Sequence, residues 1–206
     1  LVEVEDQSLQ RQCQMAKQAL TAAGLEYPLV GKPNMGCRGV GVRLLKDDAE
    51  LADYLQGFPA GGCIQFQKLS QWDAEAGVFY VRDPEKATGE VTSLTLKYTP
   101  FVVGDGERQL GELVAADARA GELLHLYRSR HVARWHDVIP RGEPYRLVFA
   151  ASHSRGAIFR DAGELISQKL SQSLDKIFED IPGFYYGRLD VKFKDLESLS
   201  AGLEFN

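Results

Sequence analysis

The sequence has few cysteines, and they follow no metal-binding or disulfide pattern. Its 206 residues include three, Cys13, Cys37 and Cys63, without C-x-x-C or C-x-x-H spacing. An odd number in that arrangement argues against a disulfide framework and a structural zinc site, and it is typical of a reducing compartment. We therefore expect a cytoplasmic protein. A chain of this length needs neither device, because it can bury roughly 70% of its unfolded surface.

Long apolar runs and an excess of positive charge are also missing. No run approaches the roughly 20 apolar residues of a membrane-spanning helix, and the acidic, polar N-terminus is unlike a signal peptide. The formal net charge is −5, which argues against general nucleic-acid binding because phosphate backbones attract basic surfaces. We therefore expect no membrane and no nucleic-acid partner. An acidic chain can still bind phosphate groups where its basic residues converge.

Helical and strand-like segments are mixed along the chain. Hydrophobic periodicity predicts helices at 8–23, 48–56, 109–130 and 161–181 and strands at 27–33, 40–45, 63–69, 76–82, 90–98, 145–153 and 184–194. Candidate helix caps are Asp47 with Glu50 and Asp161 with Glu164, and Gly-Asp-Gly at 104–106 predicts a tight turn. The mixture of hairpins and separate helices predicts an α+β fold with largely antiparallel sheets.

A glycine-rich segment, KPNMGCRGVGV, lies between two of the predicted strands. Gly36, Gly39 and Gly41 have no Cβ, so backbone N–H groups there can approach a phosphate closely, and Lys32 would add a positive point charge. The segment is not a Walker loop, because Lys32 precedes a proline, and it is not a Rossmann fingerprint, because it leads into a strand. A hairpin whose glycines only permit a turn is an equally good interpretation.

Several charged residues occupy the polar faces of predicted strands. Alternation in GRLDVKF places Arg188, Asp190 and Lys192 on one face, which suits a metal-binding carboxylate beside a phosphate-binding arginine. A solvated face with surface ion pairs is the simpler interpretation of this strand taken alone. The same alternatives apply to Lys97. Three of the four histidines, His125, His131 and His136, have no recognisable ligand spacing.

The order of these segments resembles the ATP-grasp superfamily, most nearly the D-alanine–D-alanine ligase-like carboxylate–amine ligases. The features that carry the resemblance are a Lys-Pro strand, a glycine-rich hairpin, an apolar strand ending in Gln-Lys-Leu, a strand lysine and a late Gly-Arg-x-Asp strand. The GDGxxxLxEL stretch at 104–113 is similar to one in cyanophycin synthetase-type ATP-grasp proteins. The resemblance covers about residues 27–206.

This resemblance implies two α+β subdomains with mostly antiparallel sheets that clamp ATP. Residues 1–26 would be a helical lead-in, 27–66 the first subdomain with its glycine-rich flap, and 67–206 the second subdomain, cut short at its C-terminal end. The nucleotide would be bound by Lys32 and the flap residues Gly36, Arg38, Gly39 and Gly41 at the phosphates, by backbone groups of Gln67, Lys68 and Leu69 at the adenine, and by Glu75 at the ribose.

The resemblance also implies the catalytic, metal and substrate residues. Lys97 would contact the terminal phosphates, Arg188 would stabilise the transferring phosphoryl group or the tetrahedral intermediate, and Asp190 would bind Mg²⁺. Further candidates for substrate contacts are Arg82, His153 and Arg155. Glu204 and Asn206 have the form of the Glu-x-Asn pair that completes such metal sites; the alternative, which we favour, is that the true pair follows the given chain.

The implied activity is that of an ADP-forming ligase that requires ATP and Mg²⁺. It would join a small-molecule or peptide carboxylate to an amine, or a similar nucleophile, through an acyl phosphate. The alternatives are a non-catalytic ATP- or ligand-binding module of the same fold and a phosphotransferase. Oligomeric state is left open, a homodimer included. Twenty-six leading residues cannot supply the family's preceding domain, so we expect a fragment, a minimal version or a protein with disordered ends.

Overall fold

The computed structural model describes residues 1–4, 8–36 and 39–205, which form two compact units. The first unit is Leu1–Leu69 and the second is Ser70–Asn206. All strand pairings among the described residues are antiparallel. The predicted α+β architecture with antiparallel sheets is therefore confirmed. Two predicted site residues, Arg38 and Asn206, lie outside the described residues.

The first unit contains a four-stranded sheet and two helices. Its elements are β1 (Val2–Glu3), α1 (Leu9–Ala22), β2 (Leu29–Pro33), β3 (Arg43–Leu45), α2 (Asp48–Gln56) and β4 (Cys63–Lys68). The strand order is β1-β4-β2-β3, and apolar residues of both helices pack with the sheet in one core. Asp47 caps α2 as predicted, by accepting from the Glu50 N–H. The Glu50 carboxylate accepts from the Lys46 N–H rather than from Asp47.

The second unit is built on a larger four-stranded sheet. Its elements are β5 (Ala74–Val81), β6 (Glu90–Tyr98), β7 (Phe101–Val103), α3 (Leu110–Ala116), α4 (Leu124–Arg130), β8 (Pro144–Arg146), β9 (Ile158–Asp161), α5 (Gln168–Glu179), β10 (Tyr186–Phe193) and α6 (Leu196–Ser200). The strand order is β10-β5-β6-β9. One face of this sheet packs against α5 through Leu170, Leu174 and Phe178. The opposite face is therefore available for polar side chains.

A separate small core surrounds the β7–β8 pair and the helices α3 and α4. The Gly-Asp-Gly turn begins it as predicted, with Gly106 at φ +80° and the Asp105 carboxylate accepting from two following N–H groups. The prediction of a single helix over 109–130 is wrong, because two shorter helices, α3 and α4, occupy this range. The Asp117 carboxylate accepts from the N–H groups of Arg119 and Ala120, so the backbone turns there, and α4 begins only at Leu124.

Two further element predictions need correction. The strand predicted over 145–153 is limited to β8, and a 3₁₀ turn at His153–Arg155 follows, ending at Gly156 with φ +84°. The helix predicted from Asp161 begins at Gln168, because Asp161 pairs with Thr95 in β9 and Ser167 provides the cap. In the part of the chain that the structure describes, no helix is long and apolar enough to cross a membrane.

Candidate functional site

Five charged side chains form a cluster on the polar face of the second unit's sheet. We call it the β5 cluster; its members are Glu75, Lys97, Arg188, Asp190 and Lys192. Strand register explains why they meet: Glu75 of β5 lies opposite Lys97 of β6 on one side and Lys192 of β10 on the other. Residues two apart on a strand share a face, which adds Asp190 and Arg188 to the same row.

Lys97 is the centre of this cluster. Its Nζ lies 2.7 Å from Asp190 Oδ1 and 2.9 Å from Glu75 Oε1, and its side chain is 3% exposed. A buried ammonium group is stable only when carboxylates or other acceptors surround it. Lys192 Nζ lies 3.1 Å from Glu75 Oε2, and Arg188 Nε lies 3.5 Å from Asp190 Oδ1. Three cations thus share two carboxylates, so the cluster carries one positive charge in excess.

Gly77 makes the central contact sterically possible. It lies on β5 opposite Asp190, between the strands that carry Lys97 and Asp190. A Cβ there would lie 3.4 Å from Lys97 Cε and 3.6 Å from Asp190 Oδ1, so a larger side chain would occupy the path across the strand. The sequence analysis did not single out Gly77, although a glycine inside a strand pattern often marks such a close approach.

Sequence reasoning also missed the residues at the edges of the β5 cluster. Arg146 Nη1 lies 3.2 Å from Asp73 Oδ1, and Lys192 Nζ donates to the Asp73 carbonyl oxygen at 3.1 Å. On the other side, Phe159 lies opposite Lys97, with its ring centroid 5.6 Å from Lys97 Nζ. These neighbours come from segments far apart in the chain, and no motif links them.

The three predicted substrate residues fall in different places. His153 lies beside the cluster, because its ring contacts the Phe159 ring in a tilted arrangement with centroids 3.9 Å apart. Arg82 directly follows β5, seven residues from Glu75, and donates to the Phe184 carbonyl oxygen at 3.0 Å. Arg155 is partly buried in the 3₁₀ turn that also holds His153. The structure therefore brings His153 to the charged residues, whereas the Arg82 side chain is bonded to the backbone at Phe184.

The predicted metal ligands are not brought together. Asp190 Oδ1 is engaged by Lys97 and Arg188, whereas its Oδ2 has no partner among the described residues. Glu204 instead pairs with Lys194 at 2.8 Å, because Phe205 lies opposite Phe193 and sets that register. Lys194 directly follows β10 and is four residues from Asp190, about 13 Å at roughly 3.3 Å per residue of extended chain. Within the described ranges, no group of three acidic, histidine or cysteine side chains could hold a metal ion.

Asp190 alone is nevertheless compatible with Mg²⁺ that arrives with a nucleotide. Mg²⁺ is commonly bound by one or two carboxylates together with substrate phosphates and water. The Asp190 side chain is 50% exposed, and its Oδ2 has no partner among the described residues. The donor set therefore fits a nucleotide-bound magnesium ion and does not fit a metal site made from protein ligands only.

In the first unit, Lys32 lies at the glycine-rich loop as predicted. It shares a shallow depression with Gly36, Gly39, Val40 and Gln65, among others. Its ammonium group has no hydrogen bond or ion pair with any residue the structure describes. A partly buried cation without a counter-ion beside glycine backbone is suited to an anionic ligand.

Gly41 has a structural role that accounts for its presence. Its φ is +72°, and a Cβ there would lie 2.6 Å from Pro33 Cγ. Its carbonyl oxygen accepts a 2.7 Å hydrogen bond from the Tyr54 hydroxyl. Burial raises the pKa of Tyr54 to about 12, so the hydroxyl remains a donor at neutral pH. Gly41 is thus explained by the turn, and so is Gly39, whose φ is +68°. Gly36 is the glycine beside Lys32 that no positive φ requires.

The predicted adenine-binding residues lie at the end of β4. Gln67 is opposite Val30 and Lys68 is opposite Leu29, and both side chains are exposed. Leu69 follows the strand and is the last residue of the first unit. No contact of the described residues tests the predicted adenine role of this strand end.

Comparisons with known proteins give a distant structural likeness. No family model matches the chain, and a search of curated proteins finds no relative. A search of solved structures matches a bifunctional glutathione synthetase from Pasteurella multocida at 17% identity and a TM-score of 0.40. The match covers 97% of this chain but 29% of that protein, so the chain spans less than a third of its length. A likeness this distant carries no argument about the site, whose interpretation depends on the contacts above.

Replacing Glu75 tests whether the β5 cluster is held by its buried ion pairs. Glu75→Ala should lower the free energy of unfolding by about 2 kcal/mol, because hydrogen bonds to buried charged groups typically contribute about that much. Lys97 would keep only Asp190 as a partner. Urea unfolding of the variant measures the change, and Glu90→Ala, an exposed glutamate on the neighbouring strand, is the matched control. Equal unfolding free energies for the two variants would contradict the assignment.

Proposed function

We propose that this chain belongs to an ADP-forming, ATP-grasp-type ligase that joins a carboxylate to an amine. The observation that carries the proposal is the contact between Lys97 and Asp190. A buried ammonium group lies 2.7 Å from a half-exposed carboxylate that keeps one oxygen free. Phosphoryl transfer depends on cations placed around the phosphate oxygens and on a carboxylate that can hold the accompanying metal. The order of the motifs along the sequence supports the same class.

In the second unit, we assign the charge-neutralising roles to Lys97 and Arg188. The Arg188 side chain is 63% exposed and lies 3.5 Å from Asp190, so it can reorient toward a phosphoryl group and bind two oxygens with its planar guanidinium. Lys97 is fixed by burial and contributes a preorganised charge. Both Glu75 oxygens are engaged by lysines, which favours a role in orienting Lys97 over the ribose contact that the resemblance implies.

In the first unit, we assign phosphate binding to Lys32 with the backbone at Gly36 and Gly39. The unpaired ammonium group and the glycine backbone supply complementary donors to an anion. The exposed strand end at 67–69 remains our proposal for the adenine contact. Backbone groups can recognise a base edge there without any particular side chain.

The proposed reaction has two steps. An oxygen of the substrate carboxylate attacks the γ-phosphorus of ATP, and the bond from that phosphorus to the β,γ-bridging oxygen breaks. The products of this step are the acyl phosphate and ADP. The amine then attacks the acyl carbon, inorganic phosphate leaves, and the nitrogen loses a proton. Bound Mg²⁺ would neutralise charge on the phosphate oxygens, with Asp190 as its protein ligand. Lys97 and Arg188 stabilise the charge that shifts during transfer, and no protein nucleophile is needed.

A non-catalytic nucleotide-binding module is the second candidate. It is favoured by the position of Glu204, which pairs with Lys194 instead of joining Asp190. Such a module would bind ATP and release no product. Both candidates therefore predict ATP binding, and only the ligase predicts formation of a product.

Trapping the intermediate tests the proposed reaction. The protein is incubated with MgATP, hydroxylamine and a panel of amino acids and dipeptides, and hydroxamate, ADP and AMP are measured. The ligase proposal expects a carboxylate-dependent hydroxamate together with ADP. A phosphorylated hydroxyl compound would indicate a phosphotransferase, AMP would exclude an acyl phosphate, and ATP binding without product would identify the binding module.

The Lys32 variant tests phosphate binding at the glycine-rich loop. Lys32→Ala should raise the Kd for ATP about tenfold or more, because it removes a charge-assisted contact to phosphate. Calorimetric titration with MgATP measures the affinity. Lys46→Ala, which removes an exposed lysine from the same unit, should bind ATP as the unaltered chain does. An unchanged Kd in Lys32→Ala would refute the assignment of the loop.

A further inference from the structure

Two arginines of the second unit lie on elements that are joined by a hydrogen bond, and neither has a carboxylate partner among the described residues. Arg155 is partly buried in the 3₁₀ turn at His153–Arg155, and Arg130 is the exposed last residue of α4. Across the described ranges, neither guanidinium forms an ion pair or a side-chain hydrogen bond. A partly desolvated guanidinium ordinarily has acceptors, because burying an unpaired charge is costly. Arg155 is therefore placed to receive an acceptor from outside the protein.

A buried tyrosine joins the two elements that carry these arginines. The Tyr127 hydroxyl donates to the Arg155 carbonyl oxygen at 2.8 Å, which fastens α4 to the turn. Arg130 follows Tyr127 by three residues and so lies on the same face of α4. Burial and the charge of Arg130 both lower the pKa of Arg155, in agreement with two guanidinium groups that share one neighbourhood.

Asp117, whose charge acts on Tyr127, is already engaged. Asp117 accepts from the backbone N–H groups of Arg119 and Ala120, where it caps a turn. Two hydroxyl groups lie in the same segment, where Ser152 Oγ and Ser154 Oγ are hydrogen-bonded to each other at 2.9 Å. The local chemistry is that of a site for a carboxylate or another small oxyanion.

The turn that carries Arg155 also reaches the β5 cluster. The His153 ring contacts the Phe159 ring, whose centroid lies 5.6 Å from Lys97 Nζ. One short turn thus has Lys97 at one end and the two arginines at the other. A substrate with two carboxylates can place one at each end.

We propose that Arg130 and Arg155 form a subsite for a second carboxylate of the substrate, the one that is not activated. The inference rests on the proposed ligase function and specifies its substrate class: a dicarboxylic amino acid or a peptide with an additional free carboxylate. Arg155 supplies the partly buried charge and Arg130 the exposed one. Together they offer two planar, bidentate donors to one carboxylate.

Succinate is the probe for this subsite. It is titrated into the full chain at constant ionic strength, and the Nε–Hε resonances of the arginines are followed by NMR. Arg130→Gln and Arg155→Gln should each raise the Kd about tenfold. Arg128→Gln removes an exposed arginine from the same helix and should bind succinate unchanged. Absence of succinate binding, or equal losses in all three variants, would overturn the subsite.

A second titration separates the carboxylate subsite from a nucleotide phosphate site. With the non-hydrolysable analogue AMP-PNP at saturation, succinate should bind with the same affinity. Competition between the two would assign the arginines to the nucleotide and overturn the proposal. The ATP affinity of Arg130→Gln should stay normal, so failure of the subsite is distinguishable from failure of ATP binding at Lys32. Arg130 is exposed, so its variant is expected to fold.

Discussion

The Asp190→Asn variant is expected to lose carboxylate-dependent hydroxamate formation by about 10³-fold while it still binds ATP. The amide keeps the shape of the side chain and an oxygen that can accept from Lys97. It removes the negative charge that would hold Mg²⁺ next to the phosphates, and the field around Lys97 and Arg188 becomes more positive. Binding should weaken only modestly, because the Lys32 contacts lie on another part of the chain.

Two measurements define the outcome for Asp190. Hydroxamate and ADP formation report turnover, and calorimetric titration with ATP reports binding. Asp180→Asn, at the exposed end of α5, is the matched control and should retain both. Full turnover in Asp190→Asn would mean that the Gly-Arg-x-Asp strand is only a structural edge. Loss of ATP binding together with turnover would place the nucleotide's main anchor at Asp190 instead of Lys32.

The elements that carry the β5 cluster could be predicted from the sequence, because their signals are local. Strand alternation identified the polar face of β10, and the turn at 83–89 identified the β5–β6 hairpin. Alternation also assigned Lys97 to the polar side of β6. These predictions needed no knowledge of which strands are neighbours.

The remaining features depend on register between distant segments, which one sequence does not encode in any simple pattern. The contact between Lys97 and Asp190 joins residues 93 positions apart and requires Gly77 in the strand between them. Phe159 and Arg146 reach the cluster through pairings of β9 and β8. Glu204 fits the Glu-x-Asn motif in sequence, yet the bridge between Phe205 and Phe193 directs it to Lys194.

Two arginines in similar sequence positions have different roles in the structure. Arg82 and Arg155 both follow strand-like segments and have equal standing as substrate candidates by sequence. In the structure, Arg82 donates to a backbone carbonyl oxygen, whereas the Arg155 guanidinium has no partner among the described residues. The difference lies in tertiary contacts, and it separates an arginine that stabilises a strand end from one that can bind a ligand.

Lys97→Met is expected to reduce turnover by about 10²–10³-fold and to leave the fold intact. Methionine replaces the aliphatic part of the lysine with little change in volume and fits a buried position beside Phe159. Glu75 would keep Lys192, and Asp190 would keep Arg188, so each carboxylate retains a cation. What disappears is the preorganised charge that the proposed mechanism places at the transferring phosphoryl group.

The decisive comparison for Lys97 is between kinetics and stability. Hydroxamate formation and urea unfolding are measured for Lys97→Met and for Lys176→Met, which changes an exposed lysine of α5. A catalytic role requires a large fall in turnover with an unfolding free energy close to that of the control. A lysine that only balances the charges of Glu75 and Asp190 would give the opposite result, with stability lost and the turnover of the folded fraction unchanged. The ammonium group is 2.7 Å from Asp190 in either case, so these two measurements, and not the contact itself, distinguish the roles.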